Sequence, residues 1–251
     1  MMENNLFDMH CHVGFLDNPA AFAEEAATHG MIFFSNTVSP AEFDAMQAPL
    51  GTASNVRIGV GLHPWWLARG DCDERDADAV CERIGITRYV GEIGLDFGKR
   101  NVHARELQVQ AFERIATACA AQGGKLLSIH AVQSADTVLD ILESTDCFNG
   151  NDIIFHWFSG SSDALWRAIR HGCYFSISTL MLASRRGREY AKLIPEERLL
   201  LETDWPAADD PHATPAAWEA DLACALSTLE EIRRRPLRAI LAENSARLLE
   251  A

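Results

Sequence analysis

"ARELQVQAFERIATACAAQGGKLLSIHAV", residues 104–132, joins two kinds of pattern in one stretch. Its first part repeats apolar residues at helical spacing and stops on Gly123 and Gly124, which suits a helix end. Its second part, "KLLSIHAV" at 125–132, is a short apolar run of strand length. Similar runs recur as "LFDMHCHV", "GMIFFSNTV", "NVRIGVGLH", "RYVGEIGLD", "DIIFHWF", "CYFSIS" and "RLLLETD", which makes eight strands in all. Helical periodicity fills 18–29, 71–86, 134–144 and 161–171 as well. The strand at 32–38, the helices after strands 2 and 7 and the two helices after 215 carry the weakest pattern. Strand and helix alternating along the whole chain predict parallel βα units, and eight of these close into a (β/α)8 TIM barrel of the α/β class. The open doubly wound sheet is the competitor, but no phosphate-binding glycine fingerprint follows the first strand. "EEIRRRPLRAI" is a charge cluster broken by Pro236, and it reads as a solvated helix junction.

The 251 residues are expected to form one domain spanning 1–251, with 48% hydrophobic and 23% charged residues as in soluble globular proteins. The start, "MMENNLFDMHCH", has neither the basic region nor the apolar run of a signal peptide. No segment approaches a membrane span, so a cytoplasmic location without membrane attachment is expected. The seven cysteines form no C-x-x-C pair and are odd in number, which favours reduced thiols over a disulfide framework. A net charge of −14 argues against broad electrostatic binding of a nucleic-acid backbone. A phosphodiester substrate would need cations within the site, where bound divalent metals reverse the local field.

"DMHCH" at 8–12 supplies the first evidence for such cations. Side chains alternate along a strand, so Asp8, His10 and His12 share one face while Cys11 lies on the other. Reading the other strand ends in the same way adds Glu92 on strand 4, His130 on strand 5, His156 on strand 6 and Asp204 on strand 8. All stand late in an apolar run, where the active face of a parallel barrel is built. His10, His12, Glu92, His130, His156 and Asp204 are therefore the expected metal ligands. Four imidazoles and two carboxylates exceed the needs of one tetrahedral ion and suit two divalent cations. In this reading Glu92 bridges, His10 and His12 hold one ion, His130 and His156 hold the other, and Asp204 also orients or deprotonates the attacking water. Asp8 and Glu202 lie on the same faces, behind the ligands, as supports. His63, above Gly59 and Gly61, supports the site or touches phosphate. Trp157 points away from His156 and is expected to pack against helices, whereas Trp65, Trp66 and Trp205 follow strand ends and suit either stacking on a base or ring or a place in a lid or interface.

These residues resemble the TatD family of metal-dependent deoxyribonucleases, within the amidohydrolase-like barrels. The likeness runs through "DMHCH", "GLHP" at 61–64, "GEIGLD" at 91–96, "SIH" at 128–130, "HWFSGS" at 156–161, "GCYFSIS" at 172–178, "LLLETDWP" at 199–206 and "ENSARLL" at 243–249. It implies a TIM barrel, one or two divalent ions (Mg, Mn or Zn) and hydrolysis of DNA phosphodiesters, often from a 3′ end. More narrowly, "SIH", "HWFSGS", "GCYFSIS" and the "ML…RRGRE" stretch resemble the QatD branch of the Qat anti-phage defence system, which implies partner proteins encoded alongside.

The chain also departs from that pattern. Many members carry Ser-Arg after the strand 5 histidine and a basic loop after the strand 8 Asp-x-Pro, where this chain reads "HAVQS" and "DWPAADDPH". Arg185, Arg186 and Arg188 after strand 7 and Lys99 and Arg100 after strand 4 are the candidate substitutes for these phosphate contacts, with solvated surface charge as the other reading of each. Two alternatives remain open. One is an amidohydrolase-type enzyme acting on a small ester, amide or phosphoester, although its usual carboxylated lysine is missing because Lys125 begins its strand. The other is a metal-containing defence or scaffold subunit that works through protein partners.

Overall fold

The computed structural model describes residues 5–207 and 212–250. Its strands are β1 (Leu6–Cys11), β2 (Met31–Asn36), β3 (Val56–Leu62), β4 (Tyr89–Asp96), β5 (Leu126–Val132), β6 (Asp152–His156), β7 (Tyr174–Ile177) and β8 (Leu199–Leu201). Its helices are α1 (Pro19–Thr28), α2 (Pro40–Leu50), α3 (Pro64–Arg69), α4 (Glu74–Ile84), α5 (Arg105–Gln122), α6 (Ala135–Ser144), α7 (Ser162–Arg170), α8 (Thr179–Ala183), α9 (Arg185–Leu193), α10 (Pro215–Arg233) and α11 (Arg238–Glu250). The eight strands follow one another in the order β1 to β8, all assigned pairs are parallel, and helices stand between them, as in the (β/α)8 barrel class. The acids Asp209 and Asp210 of the replaced basic loop lie outside the described residues.

Local chemistry sets the element ends. The Asn18 side chain accepts from Ala21 N, with Pro19 opening α1, and Asp73 and Asp76 form a capping box at α4. α5 stops at Gly123, whose φ of 64° lies in the left-handed region that glycine enters without a Cβ clash. Pro236 separates α10 from α11 as the sequence suggests.

The chain forms two compact units. The first takes in residues up to Ser35, Ala45–Ile58 and the chain from Tyr174 onward. Here β1 pairs with β2, in a register that shifts between Asp8 and Cys11, and β7 pairs with β8 through Phe175↔Leu199. Its core centres on Trp218 of α10, which is fully buried, 4.7 Å from the ring of Phe22 and 5.6 Å from that of Phe33. The second unit takes in Asn36–Asp44 and Gly59–Cys173. In it β4 pairs with β3 and β5, placing Gly94 opposite His130 and Asp96 opposite Val132. Nearly every residue of β4, β5 and β6 is buried, as expected for parallel strands covered on both faces.

Two sequence expectations need correction. "RLLLETD" is strand only to Leu201, so Asp204 belongs to the segment beyond β8. Trp157 does not pack into a core: it is 37% exposed, because β6 ends at His156 and face alternation stops with it.

Trp218 Nε1 donates to Asp8 Oδ2 at 2.6 Å within this apolar core. Trp218→Phe keeps most of the ring but removes a donor to a buried carboxyl, and should cost about 2 kcal/mol of stability, read as a lowered urea midpoint with an unchanged slope.

Candidate metal centre

In the first unit, His10 is the fifth residue of β1 and His12 follows its end. His10 Nε2 lies 3.5 Å and His12 Nε2 3.3 Å from the same atom, Asp204 Oδ1. The two rings stand 5.2 Å apart at 88°, and His12 is stacked on Phe15 at 5.0 Å. Backbone bonds hold the two segments in register, with Asp204 N donating to His10 O at 3.0 Å and His12 N to Trp205 O at 2.7 Å. Asp204 takes a φ of 61°, the left-handed region that Asp tolerates better than most residues.

Asp8 underlies this arrangement. Oδ1 accepts from His10 N and Thr203 N, and Oδ2 accepts from Thr203 Oγ1 and Trp218 Nε1. Burial pushes its carboxyl up to about 7, while these four donors pull the other way. Glu202 is fully buried and accepts from Ser176 Oγ on β7.

In the second unit the convergence is denser. Glu92 Oε1 lies 2.7 Å from His130 Nδ1, 3.0 Å from His156 Nε2 and 3.1 Å from His63 Nε2, and His130 Nδ1 lies 3.2 Å from His156 Nε2. All four side chains are buried. Gly61 makes room for the Glu92 backbone: a Cβ there would lie 1.7 Å from Thr37 O and 2.6 Å from Glu92 N, the two atoms joined by a 2.9 Å hydrogen bond. The space beneath His63 is thus filled by main chain.

His63 comes closer to the ligands than the sequence suggests. Its Nδ1 accepts from Trp65 N, which turns Nε2 toward Glu92 beside His130. Asp96 was missed, although it shares the face of Glu92 two pleats along β4. Its Oδ2 accepts from Trp65 Nε1 and Asn101 Nδ2 and stands 3.5 Å from His130 Nε2, while Oδ1 accepts from Gly98 N. Burial alone would raise the Asp96 carboxyl, but these contacts hold it below the usual carboxylate range. Burial likewise disfavours imidazolium at His130, yet Asp96 and Glu92 carry its pKa above the usual value.

Both clusters fit a divalent cation by their own dimensions. Ligand atoms about 2.0–2.1 Å from a shared ion sit roughly 3 Å apart at right angles and about 3.4 Å apart in a tetrahedron. The separations of 3.3 and 3.5 Å in the first cluster and 2.7 to 3.2 Å in the second span this range. The donors are nitrogen and carboxylate oxygen without thiolate, and Cys11 turns its Sγ to Phe34 O. Arg185 and Arg186 open α9 and are exposed, as are Arg188, Lys99 and Arg100. No ion pair joins Arg185, Arg188, Lys99 or Arg100 to either cluster among the described residues.

Barrel topology with clustered His and carboxylate side chains suits a metal-dependent hydrolase. The pattern of the family TatD related DNase matches residues 7–250. The chain is 34% identical over 194 residues to the 3′-5′ ssDNA/RNA exonuclease TatD of Escherichia coli K12, covering 76% of this chain and 72% of that protein. It is 35% identical over 150 residues to the protein of the same name from Enterobacter lignolyticus, covering 58% of this chain and only 56% of that relative. Among solved structures, a TatD homologue from Escherichia coli K12 superposes over all of both chains with a TM-score of 0.77 at 22% identity, which supports the barrel fold. The chain belongs to the TatD family.

His10→Ala combined with His12→Ala leaves the first cluster only a carboxylate. Equilibrium dialysis against Zn or Mn with elemental analysis should show a lower metal-to-protein ratio, and an unchanged ratio would remove these two histidines as ligands.

Proposed function

We propose that the chain hydrolyses phosphodiester bonds of nucleic acid, with DNA as the main substrate and RNA within reach of the same site. The observation that carries this reading is the pair of buried nitrogen-and-carboxylate clusters, His10–His12–Asp204 and His63–Glu92–His130 with His156, on a TatD-family chain. The TatD relatives named above act on single-stranded DNA and RNA from the 3′ end, and that polarity is taken over here as part of the proposal. Mg, Mn or Zn is the proposed ion, and one family-wide pattern over 7–250 supports reading residues 1–251 as one domain.

A bound cation lowers the pKa of water and neutralises charge on the phosphoryl group. The residues of the chain do the rest. His10 and His12 present nitrogen on one side of the first cluster, and Asp204, whose side chain is 24% exposed, is positioned to take a proton from an entering water. Glu92 is buried and gathers three imidazole nitrogens, so it orients ligands and keeps bulk water away from them. Asp8 and Glu202 support these segments from behind, and the exposed Arg185 and Arg186 are assigned to substrate phosphates further out.

The reading extends to a cytoplasmic nuclease working with partner proteins in a QatD-type anti-phage system, supported by the "HWFSGS" and "RRGRE" stretches. No helix among the described residues is long and apolar enough to cross a membrane. The amidohydrolase alternative is disfavoured at Lys125, whose Nζ donates to the carbonyls of Ile84 and Thr87 ahead of β5.

Metal-loaded protein incubated with labelled single- and double-stranded DNA and with RNA tests the proposal. Single strands should be shortened, and Asp204→Ala should slow this by at least about 100-fold. Metal-bound protein that cleaves nothing in Mg, Mn, Zn or Co would overturn the nuclease reading.

A further inference from the structure

The short helix α3, "PWWLAR" at 64–69, carries chemistry that neither ligand cluster uses. Trp65 is 38% exposed, and its ring centroid lies 5.1 Å from that of His63 and 6.0 Å from that of His130. An indole this open beside buried ligand side chains is usually free to swing away, but this one is pinned: Nε1 donates to Asp96 Oδ2, the atom that also accepts from Asn101. The guanidinium of Arg69 lies 5.7 Å from the Trp65 ring and 5.2 Å from that of Trp66. Among the described residues Arg69 forms no ion pair, unlike Arg75, Arg83, Arg114 and Arg167, which all bind carboxylates. In a chain of net charge −14, an arginine held by two rings instead of an acid keeps its charge available to an anion.

We propose that α3 is the nucleotide-gripping element of this protein: Trp65 stacks on a nucleobase beside the scissile phosphodiester, and Arg69 contacts a backbone phosphate one residue further along the strand. The inference rests on the nucleic-acid reading above and adds where the strand is held and by what. Stacking needs a rigid, exposed ring: Trp65 is 38% exposed, and the Asp96 acceptor supplies the rigidity. It also needs an unpaired base, which favours single-stranded over duplex substrate. Arg69 stands in for basic groups that "HAVQS" and "DWPAADDPH" lack. Lys99, Arg100 and Arg185 sit on a loop or a helix start without an aromatic support of this kind among the described residues.

The test compares a single-stranded hexanucleotide with the same hexanucleotide bearing abasic tetrahydrofuran residues at its two 3′-terminal positions. KM and kcat are measured for metal-loaded wild type, Trp65→Ala, Trp65→Phe, Arg69→Ala and Arg69→Lys. Binding of fluorescein-labelled oligonucleotide to each variant in an Asp204→Ala background, read by polarisation, gives an answer that does not need turnover. Trp65→Ala should raise KM and weaken binding about tenfold for the base-bearing strand and less than roughly twofold for the abasic one, with Trp65→Phe restoring only part of the difference, because it keeps a ring but loses the donor to Asp96. Arg69→Ala should weaken both strands alike and lower the slope of log affinity against log salt by about one. A Trp65→Ala effect equal on both strands, or absent from both, would overturn the stacking role even in an active nuclease. Protein that binds neither strand would overturn this inference, whereas base-dependent binding without cleavage would support it and count against the nuclease reading alone.

Discussion

A carboxylate with no exposed surface, Asp8, receives four hydrogen bonds, and the first ligand cluster depends on it. Two donors are main-chain groups of the ligand-bearing stretches themselves, His10 N and Thr203 N, and a third is the Thr203 hydroxyl. One side chain therefore ties β1 to the segment that follows β8, and the bonds Asp204 N to His10 O and His12 N to Trp205 O continue that register where strand structure has ended. Burying a carboxyl without partners would cost several kcal/mol, and the four donors offset part of this while burial still holds the group above the usual carboxylate range. The fourth donor comes from Trp218 at the middle of an aromatic core, which links the ligand geometry to the packing of α10.

The second unit reaches a comparable rigidity through main chain. Gly61 has no Cβ, so the backbone at Thr37 and Glu92 closes to within hydrogen-bond distance, and Glu92 is fixed by its own peptide before any imidazole touches it. Three nitrogens then face one carboxylate oxygen in a buried space. A neutral imidazole has one N–H, so only one of its two nitrogens can donate, and at His130 Nδ1 faces Glu92 while Nε2 stands 3.5 Å from Asp96. Inward-facing lone pairs against a carboxylate repel one another unless a proton or a metal ion lies among them, so this packing suits a bound cation.

The parts of this architecture legible in sequence are those set by alternation within a strand. His10, Glu92 and His130 lie inside β1, β4 and β5, where a residue two positions along must face the same way, and the ligand set follows. Past the strand ends the rule has no physical basis. Asp204 reaches His10 and His12 through a left-handed turn, and Trp157 emerges into solvent beyond β6. α3 escapes periodicity because six residues make less than two turns, and its start depends on Pro64 at the first position and on His63 Nδ1 accepting from Trp65 N. Asp96 had a readable signal, its parity with Glu92, but carboxylates at strand ends are common enough that only its contacts distinguish it.

The acidity of the chain is no obstacle to a polyanionic substrate once charge is considered locally. Seven ligand-type side chains and Asp96 concentrate negative charge and nitrogen lone pairs at strand ends, and divalent ions held there would present positive field to the solvent over a distance set by the Debye length of about 8 Å at physiological salt. Beyond that range the net charge of −14 repels a long strand, so contact has to be short and supported by groups that do not depend on a broad basic surface. An aromatic face meets that requirement because stacking is insensitive to salt. Arg69 meets it because two indoles rather than a carboxylate hold it in place. If nucleic acid is the substrate, a site of this kind would favour a terminus or a single strand that can enter with little of its backbone near the acidic surface, in place of the long electrostatic track that duplex-binding proteins use.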